Sequence, residues 1–205
     1  MLGHGDVRFF DRIAPLYDLF MPPVRAEDLR AGLAFAHRPV EHVVDLGGGT
    51  GRAARTLGGL GLDATVFDYS AGMLRRARAA GVAGVRADAS RLPLRDGAVD
   101  AVVVTDALHH FPDVPGALAE AARVLAPGGV VVVREFDPGT TRGRALAGLE
   151  SVAGMDSRFV GARELARLLS DTGLRGHVVD PGFGYTVVGV RPTDDGGAAD
   201  AERGR

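Results

Sequence analysis

Asp45-Leu46-Gly47-Gly48-Gly49-Thr50-Gly51 follows the apolar pair Val43-Val44, so an acidic residue leads four glycines within five positions. Glycine is required where backbone takes positive φ or lies directly against a ligand. The Asp45 carboxylate is expected to point into the crevice at the carboxyl end of a strand, where open α/β sheets bind ligands. A negative charge there suits a ligand that brings a positive one. Asp68 ends a second apolar run further on, where a carboxylate can accept both hydroxyls of a ribose. A third group, Thr105-Asp106-Ala107-Leu108-His109-His110, closes a run of valines. Histidine titrates near neutrality and can take a proton from a hydroxyl or an activated carbon, or it can pack beside a ligand without proton transfer.

These groups need a scaffold of alternating strands and helices, and the chain supplies one. Strands are expected at His42–Leu46, Ala64–Asp68, Gly84–Ala87, Asp100–Thr105 and Val130–Glu135. Helices are expected at Gly51–Leu60, Ala71–Ala80, Pro115–Leu125 and Ala162–Thr172, the last closed by Gly173. His177–Asp180 and Tyr185–Val190 complete the set as a strand pair joined through Pro181-Gly182-Phe183-Gly184. Continuous valine runs are what a parallel sheet covered on both faces requires. The predicted fold class is therefore α/β: a doubly wound, Rossmann-like, mostly parallel seven-stranded sheet with an antiparallel last strand and a helical N-terminal cap. Residues 1–38 are expected to form that cap, 39–191 the main domain, and 192–205 a disordered tail. In the cap, Val7, Phe10, Ile13 and Tyr17 recur at helical spacing behind Asp6 as N-cap. A second helix is expected from Val24 towards His37, after the break at Met21-Pro22-Pro23.

Composition narrows the classes. The 205 residues carry a net charge of −2 and no cysteine. That gives no electrostatic footprint for nucleic acid and excludes disulfides, thiolate metal sites and cysteine nucleophiles. No metal site is expected. The start of the chain lacks a signal-peptide pattern and no apolar run reaches membrane-spanning length, so a cytoplasmic protein is expected. Every basic residue is arginine.

The glycine turn does not match the dinucleotide fingerprint Gly-x-Gly-x-x-Gly, because Arg52 and Ala54 stand where glycine is needed. Asp45-x-Gly47-x-Gly49-x-Gly51 instead resembles the first motif of class I S-adenosylmethionine-dependent methyltransferases. Asp68-Tyr69-Ser70-Ala71-Gly72-Met73-Leu74, Arg86-Ala87-Asp88-Ala89-Ser90 and Arg123-Val124-Leu125-Ala126-Pro127-Gly128-Gly129 are similar to later motifs of the same family, in order. The resemblance implies S-adenosylmethionine as cofactor, with Asp45 near its ammonium group and the loop glycines against its methionyl part. It implies Asp68 on the ribose, Tyr69 and Met73 flanking the adenine, and Asp88 with the Ala89 backbone at the adenine amino group. Thr105, His109 and His110 would then lie where the transferred methyl group faces, with the two histidines as catalytic candidates.

Phe10-Asp11-Arg12-Ile13-Ala14-Pro15-Leu16-Tyr17-Asp18 and Arg134-Glu135-Phe136-Asp137-Pro138 resemble segments of the ubiquinone- and menaquinone-biosynthesis C-methyltransferases. There the first segment covers the cofactor, and Tyr17 could reach its carboxylate. Leu-His-His-Phe replaces their usual Gly-x-Arg-Asn, and the region Gly139–Gly161 is shorter. The expected function is methyl transfer to a small-molecule acceptor, a quinone or another aromatic or isoprenoid metabolite. The alternative is a non-catalytic module that binds S-adenosylmethionine or S-adenosylhomocysteine, and a nicotinamide oxidoreductase is disfavoured by the missing fingerprint. The aromatic cap is expected to pack as a lid, with peripheral contact to a membrane as the alternative. Arg142, Arg144, Arg158 and Arg163 form either a solvated face or a site for an anionic substrate.

Overall fold

In the computed structural model, residues 7–21, 23–152 and 157–193 are described. The tail expected from 192 falls almost wholly outside them, as does the N-cap expected at Asp6. Seven strands form one sheet in the order β3-β2-β1-β4-β5-β7-β6. They are β1 His42–Leu46, β2 Asp63–Asp68, β3 Gly84–Arg86, β4 Val99–Thr105, β5 Leu125–Phe136, β6 Arg175–Asp180 and β7 Gly184–Val190. β1 pairs in parallel with both β2 and β4, β2 with β3, and β4 with β5. β7 runs antiparallel between β5 and β6. The strand order reverses between β1 and β4, and such a switch point opens a crevice at the strands' carboxyl ends.

The helices are α1 Val7–Ile13, α2 Tyr17–Phe20, α3 Ala26–Leu33, α4 Arg52–Gly58, α5 Ala71–Ala79, α6 Val114–Val124, α7 Thr141–Val152 and α8 Ala162–Asp171. Side chains alternate across the central strands. Val44, Leu46, Val102, Val104, Val131 and Val133 pack on one face with Leu118, Leu165 and Leu169. Val43, Ala101, Val103, Val130 and Val132 pack on the other with Leu29 and Leu57. Each such side chain contributes about 1.5–3 kcal/mol when taken out of water. Every residue of β4 is buried, so the strand that carries Thr105 to the crevice is packed on both faces.

The first helix differs from its expected span. α1 stops at Ile13, a turn holds Ala14–Leu16, and α2 follows. Pro15 has no N–H to continue the helical ladder, which accounts for the break. β5 begins five residues earlier than expected because Leu125 pairs with Val99 across a register shift. α7 was not expected at all: its sequence mixes arginine, alanine, glycine and leucine without a clear apolar stripe. α1 lies against α5, where Asp11 Oδ1 accepts hydrogen bonds from Ser70 Oγ at 2.6 Å and Gly72 N at 2.7 Å. Asp18 on α2 meets the glycine turn through Thr50 Oγ1 and lies 3.5 Å from Arg55. The aromatic segment is thereby tied by two carboxylates to the first and second crossovers.

Candidate active site

The turn after β1 is made possible by its glycines. Gly47, Gly49 and Gly51 hold φ of +70°, +56° and +79°, a region that L side chains avoid. Gly51 is the left-handed residue that starts α4. Gly48 has another reason: a Cβ there would collide with the Asp45 carboxylate. Gly48→Ala is therefore expected to push the turn into the crevice, at a cost of about 1–3 kcal/mol. Calorimetry should show cofactor affinity reduced roughly tenfold or more.

Asp45 does not stand on the crevice wall. It is 0% exposed beneath the turn, where its Oδ2 accepts a hydrogen bond from Ala54 N at 3.0 Å. Its Oδ1 is buried without a hydrogen bond among the described residues. Burial, with the neighbouring Asp68 charge, pushes its carboxyl up to about 7. Its reach to a ligand is therefore through the field across the turn rather than by contact.

A cavity of about 390 Å³ opens at the carboxyl ends of β1, β2 and β4, within the size range of small-ligand sites. On one side Asp68 ends β2, and its carboxylate accepts from Gly49 N at 2.9 Å and Ser70 N at 2.7 Å. Burial raises its carboxyl above the ordinary value despite these bonds. Tyr69 and Met73 line the same side, with the Arg86 guanidinium 5.2 Å from the Tyr69 ring centre. Asp88, held by Ser90 N at 2.9 Å and Ser90 Oγ at 2.7 Å, and Ala89 close that end.

The other side is built by Thr105, Asp106, Ala107, His110 and Phe111 after β4, with Phe10 and Tyr17 from the aromatic segment. Arg52 at the start of α4 lies over the Tyr17 ring at 5.6 Å and 3.8 Å from Asp106. Burial pushes the Tyr17 hydroxyl up to about 12. Of the expected residues, Tyr17, Gly47, Gly49, Asp68, Tyr69, Met73, Asp88, Ala89, Thr105 and His110 thus share one cavity, while Asp45, Gly51 and His109 lie behind its wall.

The two histidines diverge. Leu108–His110 is a single 3₁₀ turn, which rotates successive side chains by about 120°. His110 faces the cavity, edge-on to Phe10 at 4.8 Å, with Nδ1 3.5 Å from Ser157 Oγ. His109 is 4% exposed and stacks on Phe159 at 4.8 Å. Its Nδ1 lies 2.6 Å from Glu135 Oε2, while Glu135 Oε1 accepts from Ala107 N and Leu108 N at 3.0 and 2.7 Å. His109 therefore anchors the turn from inside.

Arg52, Asp106 and Glu135 were not singled out from sequence. The first two were hidden inside motifs read for their neighbours, and Glu135 is brought to the turn only by the β4–β5 pairing. Arg142, Arg144 and Arg158 of the 139–161 region and Arg163 on α8 are exposed and do not line the cavity. Among the described residues there is no group of three or more His, Asp or Glu placed to hold a metal. No helix there is long and apolar enough to cross a membrane.

The donor set fits one kind of ligand. Among the described residues carboxylates outnumber the single arginine on the wall, glycine backbone forms the floor, and a carboxylate oxygen without a hydrogen bond lies just beneath it. That arrangement suits a ribonucleoside with cationic groups and does not suit a pyrophosphate. The fold is that of solved S-adenosylmethionine-dependent methyltransferases, and S-adenosylmethionine is a ligand with the groups this donor set suits. Residues 44–133 match the family model described as "Methyltransferase domain".

The chain is similar to a demethylmenaquinone methyltransferase of Beutenbergia cavernae, 38% identical over 140 residues, covering 65% of this chain and 58% of that protein. It thus spans less than two thirds of the length of the curated relatives it matches. Among solved structures, a possible histamine N-methyltransferase of Thermotoga maritima superposes with a TM-score of 0.70 at 22% identity, covering 90% of this chain and 99% of that one. A Haemonchus contortus phosphoethanolamine N-methyltransferase bound to S-adenosylhomocysteine superposes with a TM-score of 0.71 at 17% identity, covering 91% and 58%.

Proposed function

We propose that this chain transfers a methyl group from S-adenosylmethionine to a hydroxylated aromatic or quinol-type small molecule. The observation that carries the reading is one cavity with two chemically distinct sides: Asp68, Tyr69, Met73 and Asp88 opposite Phe10, Tyr17, His110 and Phe111. Asp68 accepts hydrogen bonds from the ribose hydroxyls, and its two backbone donors hold the carboxylate in place for them. Asp88 accepts from the adenine amino group beside the Ala89 N–H, while Tyr69 and Met73 enclose the ring. Tyr17 and Arg52 face the amino-acid carboxylate, and Asp45 adds negative charge beneath the turn. Gly47, Gly49 and Gly51 let backbone approach where side chains would block it.

The bound cofactor supplies a methyl carbon on a sulfonium, which leaves as a neutral thioether. The protein's share is to orient, exclude water and manage charge. Thr105 lines the side after β4, at the foot of the acceptor surface. Phe10, His110 and Phe111 offer flat surfaces to an aromatic acceptor, and the demethylmenaquinone methyltransferase relatives support an acceptor of that kind. His109, although expected at the methyl-facing position, acts from behind the wall by holding the Leu108–His110 turn on Glu135.

The test is incubation with isotope-labelled S-adenosylmethionine and an extract of small molecules, followed by mass spectrometry. A labelled aromatic product is expected. Asp68→Ala should weaken S-adenosylhomocysteine binding roughly 100-fold, since two hydrogen bonds to a charged group are lost. Tight cofactor binding with no labelled product at all would favour a non-catalytic binding module.

A further inference from the structure

We propose that Asp106 meets the reacting hydroxyl of the acceptor and takes its proton. The inference rests on the methyl-transfer reading of the same cavity and adds the group that completes it. Asp106 lies on the wall between Thr105 and Ala107, on the side formed with Phe10, Tyr17 and His110. Its backbone has φ +49°, the single positive φ at a non-glycine position among the described residues. Such strain persists only where surrounding structure imposes it, and it clusters where a side chain must be aimed. Here the imposing bond is Asp106 N to Arg134 O at 2.9 Å, so β5 fixes the peptide of a residue that lines the cavity.

The other acids of the cavity are engaged. Asp68 accepts from two backbone amides, Asp88 accepts from Ser90, and Asp113 caps α6 through Gly116 N at 3.0 Å. Tyr17 holds its proton too tightly to serve as a base near neutrality. The Arg52 guanidinium lies 3.8 Å from the Asp106 carboxylate, beyond hydrogen-bond distance. It therefore keeps lone pairs for an incoming hydroxyl, while Arg52 holds it in place.

Its surroundings also suit proton transfer. Burial and the Glu135 charge raise its carboxyl above the ordinary value, against Arg52, Arg134 and His109, while Tyr17 faces it from α2. A carboxyl raised above its ordinary value is a stronger base than a free one, which suits it to take up a proton. In the step, the acceptor O–H bond breaks, its electron pair stays on the acceptor, and the proton forms the neutral acid of Asp106. That proton returns to solvent when product leaves.

The experiment uses the full chain saturated with S-adenosylhomocysteine, with 1-naphthol as acceptor probe. Carbon NMR of labelled aspartate should show the Asp106 carboxyl titrating above the ordinary range, identified by its absence in Asp106→Asn, and shifting when 1-naphthol is added. Asp106→Asn should bind S-adenosylhomocysteine within about threefold of wild type. It should methylate 1-naphthol roughly 100-fold or more slowly, without the acid limb of the wild-type pH profile. A resonance that 1-naphthol leaves in place overturns the proposal, whether the probe stays out of the cavity or binds elsewhere. So does an acid limb that survives in Asp106→Asn but disappears in His110→Ala. Failure of wild type to bind S-adenosylhomocysteine would instead overturn the methyltransferase reading.

Discussion

Glu135→Ala is expected to lower folding stability by about 3–5 kcal/mol, which in a chain of this size moves the melting midpoint by roughly 10 °C or more. Glu135 is 3% exposed. Its two oxygens accept from Ala107 N, Leu108 N and His109 Nδ1. Removing it strands three buried donors, each costing about 1–3 kcal/mol. Water can rescue part of this, because Ala107 borders the cavity. Glu135→Gln should cost far less, near 1 kcal/mol, since its carbonyl oxygen keeps the two backbone bonds. Its amide then offers N–H to His109 Nδ1, and the imidazole must move its proton to Nε2. Denaturant titration of both variants checks this ordering, and an alanine variant within 1 kcal/mol of wild type would refute it. The effect should reach function, because Asp106 and His110 sit at the two ends of the turn that Glu135 holds.

The scaffold was legible because its signals are local. Valine runs, the glycine turn and Gly173 each describe their own few residues, and the alternation of strands and helices implies a doubly wound sheet. The site was legible where one motif supplies both the side chain and its position, as with Asp68 or Asp88. It was not legible where position comes from a distant pairing. Asp11 meets Ser70 and Gly72 across 59 and 61 residues, and Glu135 meets Ala107 and Leu108 across 28 and 27. No local pattern announces such bonds. His109 and His110 are equivalent in sequence, and only the 3₁₀ turn sends one into the core and the other to the cavity. Asp45 was expected to point into the crevice; Gly48 closes over it instead, and the alignment of carboxylate and glycine that made the motif recognisable also conceals the acid.

That concealment makes cofactor binding proton-linked at Asp45. With an ordinary carboxyl value of 3.8 and a folded value of about 7, the cofactor-free protein holds a proton on Asp45 that the unfolded chain has lost across that interval. The sign follows: stability from this group falls by about 1.4 kcal/mol per pH unit between those values and levels off above 7. A ligand bringing a sulfonium and an ammonium across the turn favours the ionised carboxylate, so binding should release a proton near neutrality. S-adenosylmethionine affinity should rise as pH increases from 6 to 8, approaching tenfold per unit below the folded value if this group dominates. S-adenosylhomocysteine lacks the sulfonium charge and should show a shallower slope. Calorimetry in two buffers of different ionisation enthalpy measures the proton release directly. Asp45→Asn keeps an oxygen for Ala54 N but cannot ionise, so its stability and affinity profiles should flatten relative to wild type. Proton release that is unchanged in Asp45→Asn would place the linked group elsewhere, with Asp68 and Asp106 the other raised carboxyls on the cavity wall.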